Sequence, residues 1–315
     1  MQNPKPSCIV LGGGGFIGLN LCRRLIASGH RVRAFGRRCL FPQELQGAEW
    51  YQGDFTDPTA LVAAMETFDV AFHLVHSSTP QGTNLDIAGD VRQNVLSSLA
   101  FLDISRQLGI SRIVFVSSGG TIYGRPEHVP TPEADPTNPI TAYGIGKLSI
   151  EKYLALYEHL YHLDYRVLRV TNPYGPFQTT LKNQGIIAAL IARALRGERV
   201  EIWGDGSVVR DFIYVDDLVD ALVAAAEDRS AGRIFNIGSG VGRSLLEVIA
   251  ATEKLLGTKL NIHWKQARPQ DVPISIVAID RAKAMLGWAP KTTFEAGLEE
   301  TIKWWSARSQ NVQSL

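Results

Sequence analysis

A glycine-rich loop between a predicted strand and a predicted helix constrains this chain more than any other feature. Gly12, Gly15 and Gly18 are spaced GxxGxxG between the apolar run Ser7–Leu11 and the helically patterned segment Phe16–Ser28. Glycine lets the backbone turn tightly and approach a pyrophosphate, and the N-terminus of the following helix favours its negative charge. An ordinary turn also favours glycine, but the flanking strand and helix indicate a dinucleotide cofactor site.

Strands and helices alternate through the first half of the chain. Short apolar runs predict strands, and apolar residues three and four apart predict helices. In chain order they are strand Ser7–Leu11, helix Phe16–Ser28, strand Arg31–Phe35, helix Thr59–Thr67, strand Val70–Leu74, helix Asn94–Leu108, strand Arg112–Ser117, helix Tyr143–Tyr161 and strand Tyr165–Val170. This alternation predicts an α/β fold with a Rossmann-type doubly wound parallel sheet.

The pattern loosens beyond residue 172. Short strands and Pro/Gly turns separate four further predicted helices, Ile186–Arg196, Val215–Glu227, Leu245–Leu256 and Phe294–Ser306. We expect a dinucleotide-binding domain over residues 1–171 and a smaller C-terminal α/β lobe over residues 172–315. The lobe is expected to interleave partly with the first domain, to cover the carboxyl edge of the sheet and to bind the substrate.

Charge and composition argue against several classes of partner. The formal net charge is +1, which gives no reason to expect nucleic acid or an anionic membrane. The three cysteines (Cys8, Cys22, Cys39) and seven histidines show no metal-ligand spacing, so we predict no metal. The N-terminal residues lack the apolar region of a signal peptide and no run of about 18 apolar residues follows, which predicts a cytoplasmic protein.

The end of the second predicted strand bears on the choice between NAD and NADP. Sites that prefer NAD commonly carry an acidic residue here for the ribose hydroxyls, whereas this chain has Gly36, Arg37 and Arg38. The arginines would suit the 2′-phosphate of NADP; alternatively they are solvated, or one of them stacks on adenine. Asp54 follows the next strand and one glycine, which places it to contact the adenine amine.

A tyrosine and a lysine form a YxxxK motif, Tyr143-Gly-Ile-Gly-Lys147, at the start of a predicted helix. This spacing places both side chains on one helical face, so that the ammonium group lies near the phenol. Because a neighbouring cation favours phenolate, we expect a lowered pKa for Tyr143 and a role as proton acceptor and donor at a carbinol carbon. Chance also produces this motif on surface helices, but the upstream glycine loop favours catalysis.

A catalytic hydroxyl that hydrogen-bonds the reacting oxygen is expected between these two motifs. The run Ser117-Ser-Gly-Gly-Thr-Ile-Tyr-Gly124 offers Ser118 and Thr121, and the sequence does not choose between them. Capping or turn formation is the alternative role for the one that is not catalytic. We therefore expect one of the two to contact the substrate.

Five motifs in order carry a resemblance to a known family: the glycine loop, the Ser117–Gly124 run, YxxxK, Arg169-Val-Thr-Asn-Pro-Tyr-Gly-Pro and Val209-Arg-Asp-Phe-Ile-Tyr-Val-Asp-Asp. From Cys8 to about Trp305 the chain resembles the extended short-chain dehydrogenase/reductases of the NAD-dependent epimerase/dehydratase family, especially the UDP-galactose and UDP-N-acetylglucosamine 4-epimerases. The resemblance implies a tightly held NAD, a UDP-sugar substrate and a homodimer paired through helices Asn94–Leu108 and Tyr143–Tyr161.

Together with the residues already named, the resemblance implies two sets of contacts. The predicted cofactor contacts are Gly12, Gly15, Phe16, Ile17, Gly18, Arg37, Asp54, Phe55, Leu74, Asn94, Tyr143 and Lys147. The predicted substrate contacts are Ser118, Thr121, Tyr143, Asn172, Arg210, Arg268, Asp271 and Ser275. Asn172 and Arg210 would meet the sugar diphosphate, and Arg268 and Asp271 would hold phosphate and uridine ribose. A surface salt bridge is the alternative role for each arginine.

Departures from the family pattern narrow the reaction. The usual hydroxyl position is Gly119, and the loop beside it, Gly119-Gly120, lacks the acidic pair of the 4,6-dehydratases and the acid that decarboxylation needs. We therefore favour C4 epimerisation through a tethered 4-keto sugar. The alternatives are an NADPH-dependent nucleotide-sugar reductase and a non-catalytic dinucleotide-sensing protein, against which the intact tyrosine–lysine pair argues. His76, in a bulkier loop than is usual, lines the cofactor pocket or is merely packed.

The substrate's C2 substituent is predicted from one position. In resembling epimerases restricted to plain hexose nucleotides, a bulky aromatic lies four residues after the aspartate, and here that residue is Ser275. A small side chain leaves room for an N-acetyl group. The resemblance thus favours interconversion of UDP-N-acetylglucosamine and UDP-N-acetylgalactosamine.

Overall fold

The computed structural model describes residues 5–77, 83–180, 185–267 and 272–308. Within these ranges seven strands form one parallel sheet, and the others form smaller sheets beside it. In chain order the strands are β1 (Cys8–Leu11), β2 (Val32–Gly36), β3 (Ala48–Gln52), β4 (Val70–His73), β5 (Arg112–Ser118), β6 (Tyr165–Val170), β7 (Asn172–Tyr174), β8 (Val200–Trp203), β9 (Val209–Tyr214), β10 (Ile234–Ile237), β11 (Gly242–Ser244), β12 (Ile262–Lys265) and β13 (Ile274–Ser275).

Helices connect these strands and cover the sheet. They are α1 (Phe16–Ala27), α2 (Pro58–Met65), α3 (Ile87–Asp90), α4 (Ser97–Leu108), α5 (Ala142–Tyr161), α6 (Ile186–Leu195), α7 (Val215–Glu227), α8 (Leu245–Leu256) and α9 (Phe294–Ser306). Asp57 caps α2 through the amide of Thr59, and Thr141 caps α5 through the amide of Gly144. Among the helices so described, none is long and apolar enough to cross a membrane.

The large sheet has the strand order β3-β2-β1-β4-β5-β6-β10, and every neighbouring pair is parallel. Leu11 at the end of β1 is level with Phe35 of β2 and His73 of β4, and Ser118 of β5 is level with Val170 of β6. The carboxyl ends of these strands therefore meet at one edge. The predicted Rossmann-type doubly wound sheet is confirmed.

Apolar side chains alternate between the two faces of the sheet, as the two-residue period of a strand requires. Val10 packs with Leu19 of α1 and Leu222 of α7 on one face. Ile9 packs with Phe101 of α4 and Leu154 of α5 on the other. Helices thus bury both faces, so the strand ends are where the sheet has access to solvent.

Residues beyond 172 build a second layer at the carboxyl edge. There β9 pairs with β7, β11 and β13, while β8 pairs with β12. The chain also returns to the large sheet, because β10 pairs with β6 and α7 packs on the same face as α1. A division of the chain at residue 171 into two domains stays a prediction.

The helix predicted over Asn94–Leu108 differs from the structure at its start. An α-helical turn, α3, and a π-helical turn, Val91–Leu96, precede α4, which begins at Ser97. Asn94 lies within the π turn, with its side chain bonded to Asp90 and Ser77 rather than exposed. The alternation of apolar residues gives no signal for a π turn, since it inserts one residue into an otherwise helical pattern.

A buried ion pair joins α5 to the sheet below the loop that follows β5. The Arg169 guanidinium donates to Glu151 at 2.8 Å, and the two side chains are 4% and 1% exposed. Ser117 also donates to Glu151, at 2.5 Å, and Arg169 donates to the Tyr123 hydroxyl at 2.9 Å. These bonds tie β5, β6, α5 and the loop after β5 into one unit.

Breaking this pair is expected to destabilise the fold strongly. Arg169→Met leaves the Glu151 carboxylate buried and uncompensated, which costs about 3–5 kcal/mol in the free energy of unfolding. Urea denaturation followed by circular dichroism measures that loss. Adding Glu151→Leu removes the unpaired buried carboxylate. The double variant is therefore expected to lose less free energy of unfolding than the sum of the losses of the two single variants. Lys303→Met, which breaks an exposed ion pair, is the control. The account would be contradicted if Arg169→Met lowered the free energy of unfolding no more than Lys303→Met does.

Candidate functional site

The loop between β1 and α1 folds back closely on itself. Gly12 has φ +92°, which favours glycine, and the Gly15 amide donates to the Gly12 carbonyl at 3.0 Å. A Cβ on Gly18 would lie 2.2 Å from that same oxygen. Gly15 offers no side chain to cap α1, which leaves the first amides of the helix to a ligand. This glycine cradle fits the pyrophosphate of a dinucleotide.

The predicted adenine side of the site is partly assembled. The Arg37 side chain is 69% exposed, with Nη1 4.0 Å from Oδ2 of Asp54. The amide of Thr56 donates to Asp54 at 2.9 Å and lowers the pKa of that carboxyl. Phe55 is expected to flank adenine, but its side chain is buried. Its ring centroid lies 4.7 Å from that of His73 and 5.9 Å from that of Phe101. Phe55 can therefore flank adenine only through its backbone.

The loop after β4 brings the cofactor cradle and the catalytic helix together. The Leu74 Cβ lies 3.5 Å from the position that a Cβ on Gly12 would take, directly beside the cradle. Asn94 accepts a hydrogen bond from the Ser77 amide at 2.9 Å, which ties Ser77 to the π-helical turn. Between them His76 lies against Tyr143, with ring centroids 4.4 Å apart. Phe16 and Ile17 sit in the first turn of α1, half-buried against the core.

The predicted pair of Tyr143 and Lys147 shares one face of α5, as its spacing requires. Lys147 is 2% exposed, and its ammonium group donates to the backbone oxygen of Val116 at 2.8 Å. Its Nζ lies 5.9 Å from the centre of the Tyr143 ring and 4.7 Å from that of Phe115. The ammonium group is thus held between β5 and α5, above an aromatic ring.

The prediction that the pKa of Tyr143 is lowered is wrong for the protein without its cofactor and substrate. Burial of the phenol, together with the charge of Asp90, raises the pKa of Tyr143 to about 12. Burial also lowers the pKa of Lys147 to about 7, against the pull of Glu151 and Asp90. Desolvation disfavours both charged forms here, and a single cation in the same buried site does not overcome it.

The two candidate hydroxyls lie at the end of β5 and in the turn that follows it. Ser118 closes the strand, and Thr121 lies in the turn against the start of α5, since a Cβ on Gly144 would be 2.9 Å from the Thr121 carbonyl oxygen. The Thr121 hydroxyl is buried, and within the described residues it has no hydrogen-bond partner. A buried hydroxyl in this condition favours a ligand group as its partner.

On the substrate side the structure brings together three of the five predicted contacts beyond the catalytic groups. Asn172 donates to the Asp211 carbonyl at 2.9 Å, which fastens β7 to β9. Arg210 of β9 is level with Ser275 of β13, and its guanidinium donates to the Val272 carbonyl at 2.7 Å. Arg268 and Asp271 lie outside the described residues.

Sequence reasoning missed an aromatic cleft beside Arg210. It has a volume of about 940 Å³, and its lining includes Trp203, Trp264, Val209 and Ile274. Lys265 lies over the Trp203 ring, 5.0 Å from its centre. The sequence signal for it is the pair of tryptophans in two short strands, Trp203 at the end of β8 just before Gly204 and Trp264 in β12. The cleft lies next to β9, the strand that carries Arg210.

Known proteins resemble this chain throughout its length. The model of the NAD dependent epimerase/dehydratase family matches residues 8–238. A UDP-glucose 4-epimerase from Thermotoga maritima, solved with UDP-glucose, is 35% identical with a TM-score of 0.91, covering 96% of this chain and 99% of that one. A UDP-glucose 4-epimerase from Thermus thermophilus, solved with NAD, is 30% identical with a TM-score of 0.89, covering 95% and 99%.

A third solved structure differs in its named sugar. The UDP-N-acetylglucosamine 4-epimerase from Methanobrevibacter ruminantium, solved with UDP-N-acetylmuramic acid, is 26% identical with a TM-score of 0.90, covering 96% of this chain and 99% of that one. The family match spans well over half of the chain, and the glycine cradle fits the dinucleotide that the family uses. The chain belongs to the NAD dependent epimerase/dehydratase family, and its cofactor is NAD.

Proposed function

We propose that this chain is a nucleotide-sugar 4-epimerase that acts on a UDP-sugar. The observation that supports the proposal is the shared face of Tyr143 and Lys147 on α5, whose first turn packs against the turn that carries the buried Thr121 hydroxyl. Gly119 and Gly120 stand beside these groups, so this part of the loop offers no acid for elimination of water. Oxidation and reduction at one sugar carbon is the chemistry that remains. The names of the solved relatives agree with it.

The chain's own residues handle the proton and hold the sugar. Bound NAD supplies a hydride acceptor and donor at the sugar carbon, and its positive ring favours a nearby phenolate. Tyr143 takes the proton of the sugar hydroxyl and returns it when the carbonyl is reduced from the other face. Thr121 donates a hydrogen bond to the same oxygen, which holds it while the bond to hydrogen breaks. Ser118 stays a candidate for this role.

Anchoring of the nucleotide keeps the 4-keto sugar in the site while it turns. Arg210 directly follows Val209, which lines the aromatic cleft, and it is level with Ser275 on the neighbouring strand. A guanidinium suits a diphosphate, since it donates to several oxygens at once. With the base in the cleft and the diphosphate at Arg210, the sugar reaches back toward Tyr143. Proximity of the tethered sugar then supplies much of the rate.

The proposal extends to the C2 substituent. Ser275 is level with Arg210 on the neighbouring strand, so its side chain lies next to the expected diphosphate position. A hydroxymethyl side chain leaves more space there than an aromatic ring would. We therefore favour UDP-N-acetylglucosamine and UDP-N-acetylgalactosamine, with plain hexose nucleotides as further substrates.

A nucleotide-sugar reductase of the same superfamily is the second candidate. Arg37 is largely exposed at the end of β2, where Gly36 replaces the carboxylate that would repel a 2′-phosphate. Arginine in that position would suit the 2′-phosphate of NADPH as a stoichiometric reductant, whereas the family and the NAD-bound relative favour NAD. Steady sugar conversion without added dinucleotide excludes this candidate, because a reductase consumes one cofactor for each turnover.

We also propose a homodimer that pairs through α5 and the helical segment Asn94–Leu108. One face of α5 carries four exposed apolar side chains, spaced eight, three and four residues apart, at Ile145, Tyr153, Leu156 and Leu160. Leu96 of the π turn is exposed by 52% as well. A row of this kind on a helix surface favours a second helix as its partner.

Loss of the Tyr143 hydroxyl is expected to remove the activity. Tyr143→Phe keeps the ring but not the proton, so kcat is expected to fall about a thousandfold. Thr121→Val is expected to lower kcat more than Ser118→Ala, because the Thr121 hydroxyl is the buried one. Conversion of UDP-N-acetylglucosamine is measured by chromatography of the sugars, with NAD binding as the control for folding. Full activity of Tyr143→Phe would overturn the proposal.

Enlarging position 275 is expected to change substrate preference. Ser275→Tyr fills the space next to Arg210, so kcat/KM for the N-acetylated sugar nucleotide is expected to fall about tenfold or more relative to the plain hexose nucleotide. Ser275→Ala is the matched control and is expected to leave the ratio unchanged. An unchanged ratio for the tyrosine variant contradicts the specificity proposal but leaves the reaction class intact.

A charge on the exposed face of α5 is expected to dissociate the dimer. Leu156→Glu places a carboxylate among apolar side chains and is expected to dissociate the dimer. Light scattering after gel filtration measures the molar mass, which is expected to be that of the monomer. Leu255→Glu, on the exposed surface of α8, is the control and is expected to leave the dimer mass. Monomeric wild-type protein would contradict this part of the proposal.

A further inference from the structure

A buried histidine and aspartate lie against Tyr143. His76 follows β4, and Asp90 is the last residue of α3. Their side chains are 7% and 2% exposed, and His76 Nε2 lies 3.7 Å from Asp90 Oδ1. The His76 and Tyr143 rings meet edge to face, with centroids 4.4 Å apart and planes at 70°. Two ionisable side chains therefore share the buried space beside the phenol.

The Asp90 carboxylate is held in a fixed place against α5. Asn94 donates to its Oδ1 at 2.8 Å. Its Oδ2 is only 3.4 Å from the position that a Cβ on Gly146 would take, so α3 and α5 approach closely at that glycine. Gly146 lies between Tyr143 and Lys147 in sequence, which puts the carboxylate in the same helical turn as both.

This arrangement sets Asp90 against the ionisation of Tyr143. An anion beside the phenol disfavours phenolate, and burial adds to that effect; together they raise the pKa of Tyr143 to about 12. The opposing charge is that of Lys147, whose ammonium group is bonded to the Val116 carbonyl. A second cation close to Asp90 would cancel much of the carboxylate's effect on the phenol.

Two other ionisable groups near this turn, His73 and Glu151, have hydrogen-bond partners of their own. His73 of β4 bonds to the Ser98 hydroxyl, and burial, with the charge of Lys147, lowers its pKa well below the usual value. Glu151, one turn beyond Lys147, is paired with Arg169. His76, with Nε2 3.7 Å from the Asp90 carboxylate and its ring in contact with that of Tyr143, is placed to balance Asp90.

We propose that His76 is a positioning residue for Tyr143, and that its pairing with Asp90 offsets the carboxylate's charge and eases loss of the phenol proton. The inference rests on the proposed function, in which Tyr143 exchanges a proton with the sugar. The inference requires that the effect of His76 on Tyr143 depend on the charge of Asp90, because His76 has no charge to balance once Asp90 is neutral. A histidine that merely fills space would act the same whether or not Asp90 is charged.

The test titrates Tyr143 itself in the NAD-loaded protein. Tyrosines isotopically labelled at Cζ report phenolate by NMR, and the Tyr143 signal is the one missing from Tyr143→Phe. Wild type, His76→Asn, Asp90→Asn and the double variant are compared. His76→Asn is expected to raise the Tyr143 midpoint by about one pH unit, since an unbalanced anion then stands beside the phenol. In the Asp90→Asn background the same replacement is expected to shift the midpoint by less than half as much.

Controls separate this inference from folding and from the proposed function. His159→Asn, on the exposed surface of α5, is expected to leave the midpoint unchanged, and His76→Gln repeats the test if the asparagine variant does not fold. Equal midpoints in wild type and His76 variants, or equal shifts in both Asp90 backgrounds, would overturn the inference. A shifted midpoint without sugar conversion supports it while contradicting the proposed function. Normal sugar conversion with an unshifted midpoint does the reverse.

Discussion

Parallel pairing of β1, β4 and β5 is the constraint on which the rest of the site depends. It brings the ends of these strands to one edge, so that the glycine cradle after β1, the loop after β4 and the catalytic loop after β5 become neighbours. These segments are separated by dozens of residues in the chain. Helices on both faces keep water away from the sheet, and the strand ends become the place where a ligand can meet polar groups.

Electrostatics at this edge is a balance among buried charges. Lys147 is held by the Val116 carbonyl, Asp90 by Asn94, and Glu151 by Arg169 and Ser117. The protein alone disfavours the phenolate form of Tyr143. Its proton affinity therefore depends on which cations share the pocket, including the positive ring of oxidised NAD. Under the proposed function, the charge of the bound cofactor would therefore influence how readily Tyr143 gives up its proton.

Local spacing explains what could be predicted from the sequence. Alternating strands and helices gave the sheet, and the GxxGxxG and YxxxK spacings gave the cradle and the shared face of α5, because each depends on residues only a few positions apart. The sign of the Tyr143 shift was not predictable, since burial and Asp90 act through tertiary packing. The burial of the Phe55 side chain and the aromatic cleft at Trp203 and Trp264 also depend on segments that are distant in sequence.

The central claim is that one sugar carbon is oxidised and then reduced within a single site, with Tyr143 holding the proton. Its most direct test uses UDP-N-acetylglucosamine that carries deuterium at C4, incubated with the purified protein without added dinucleotide and followed by mass spectrometry and NMR. The account predicts UDP-N-acetylgalactosamine that still carries the deuterium at C4. Product that has exchanged its deuterium for solvent hydrogen, or a sugar nucleotide recovered unchanged at C4, would contradict it.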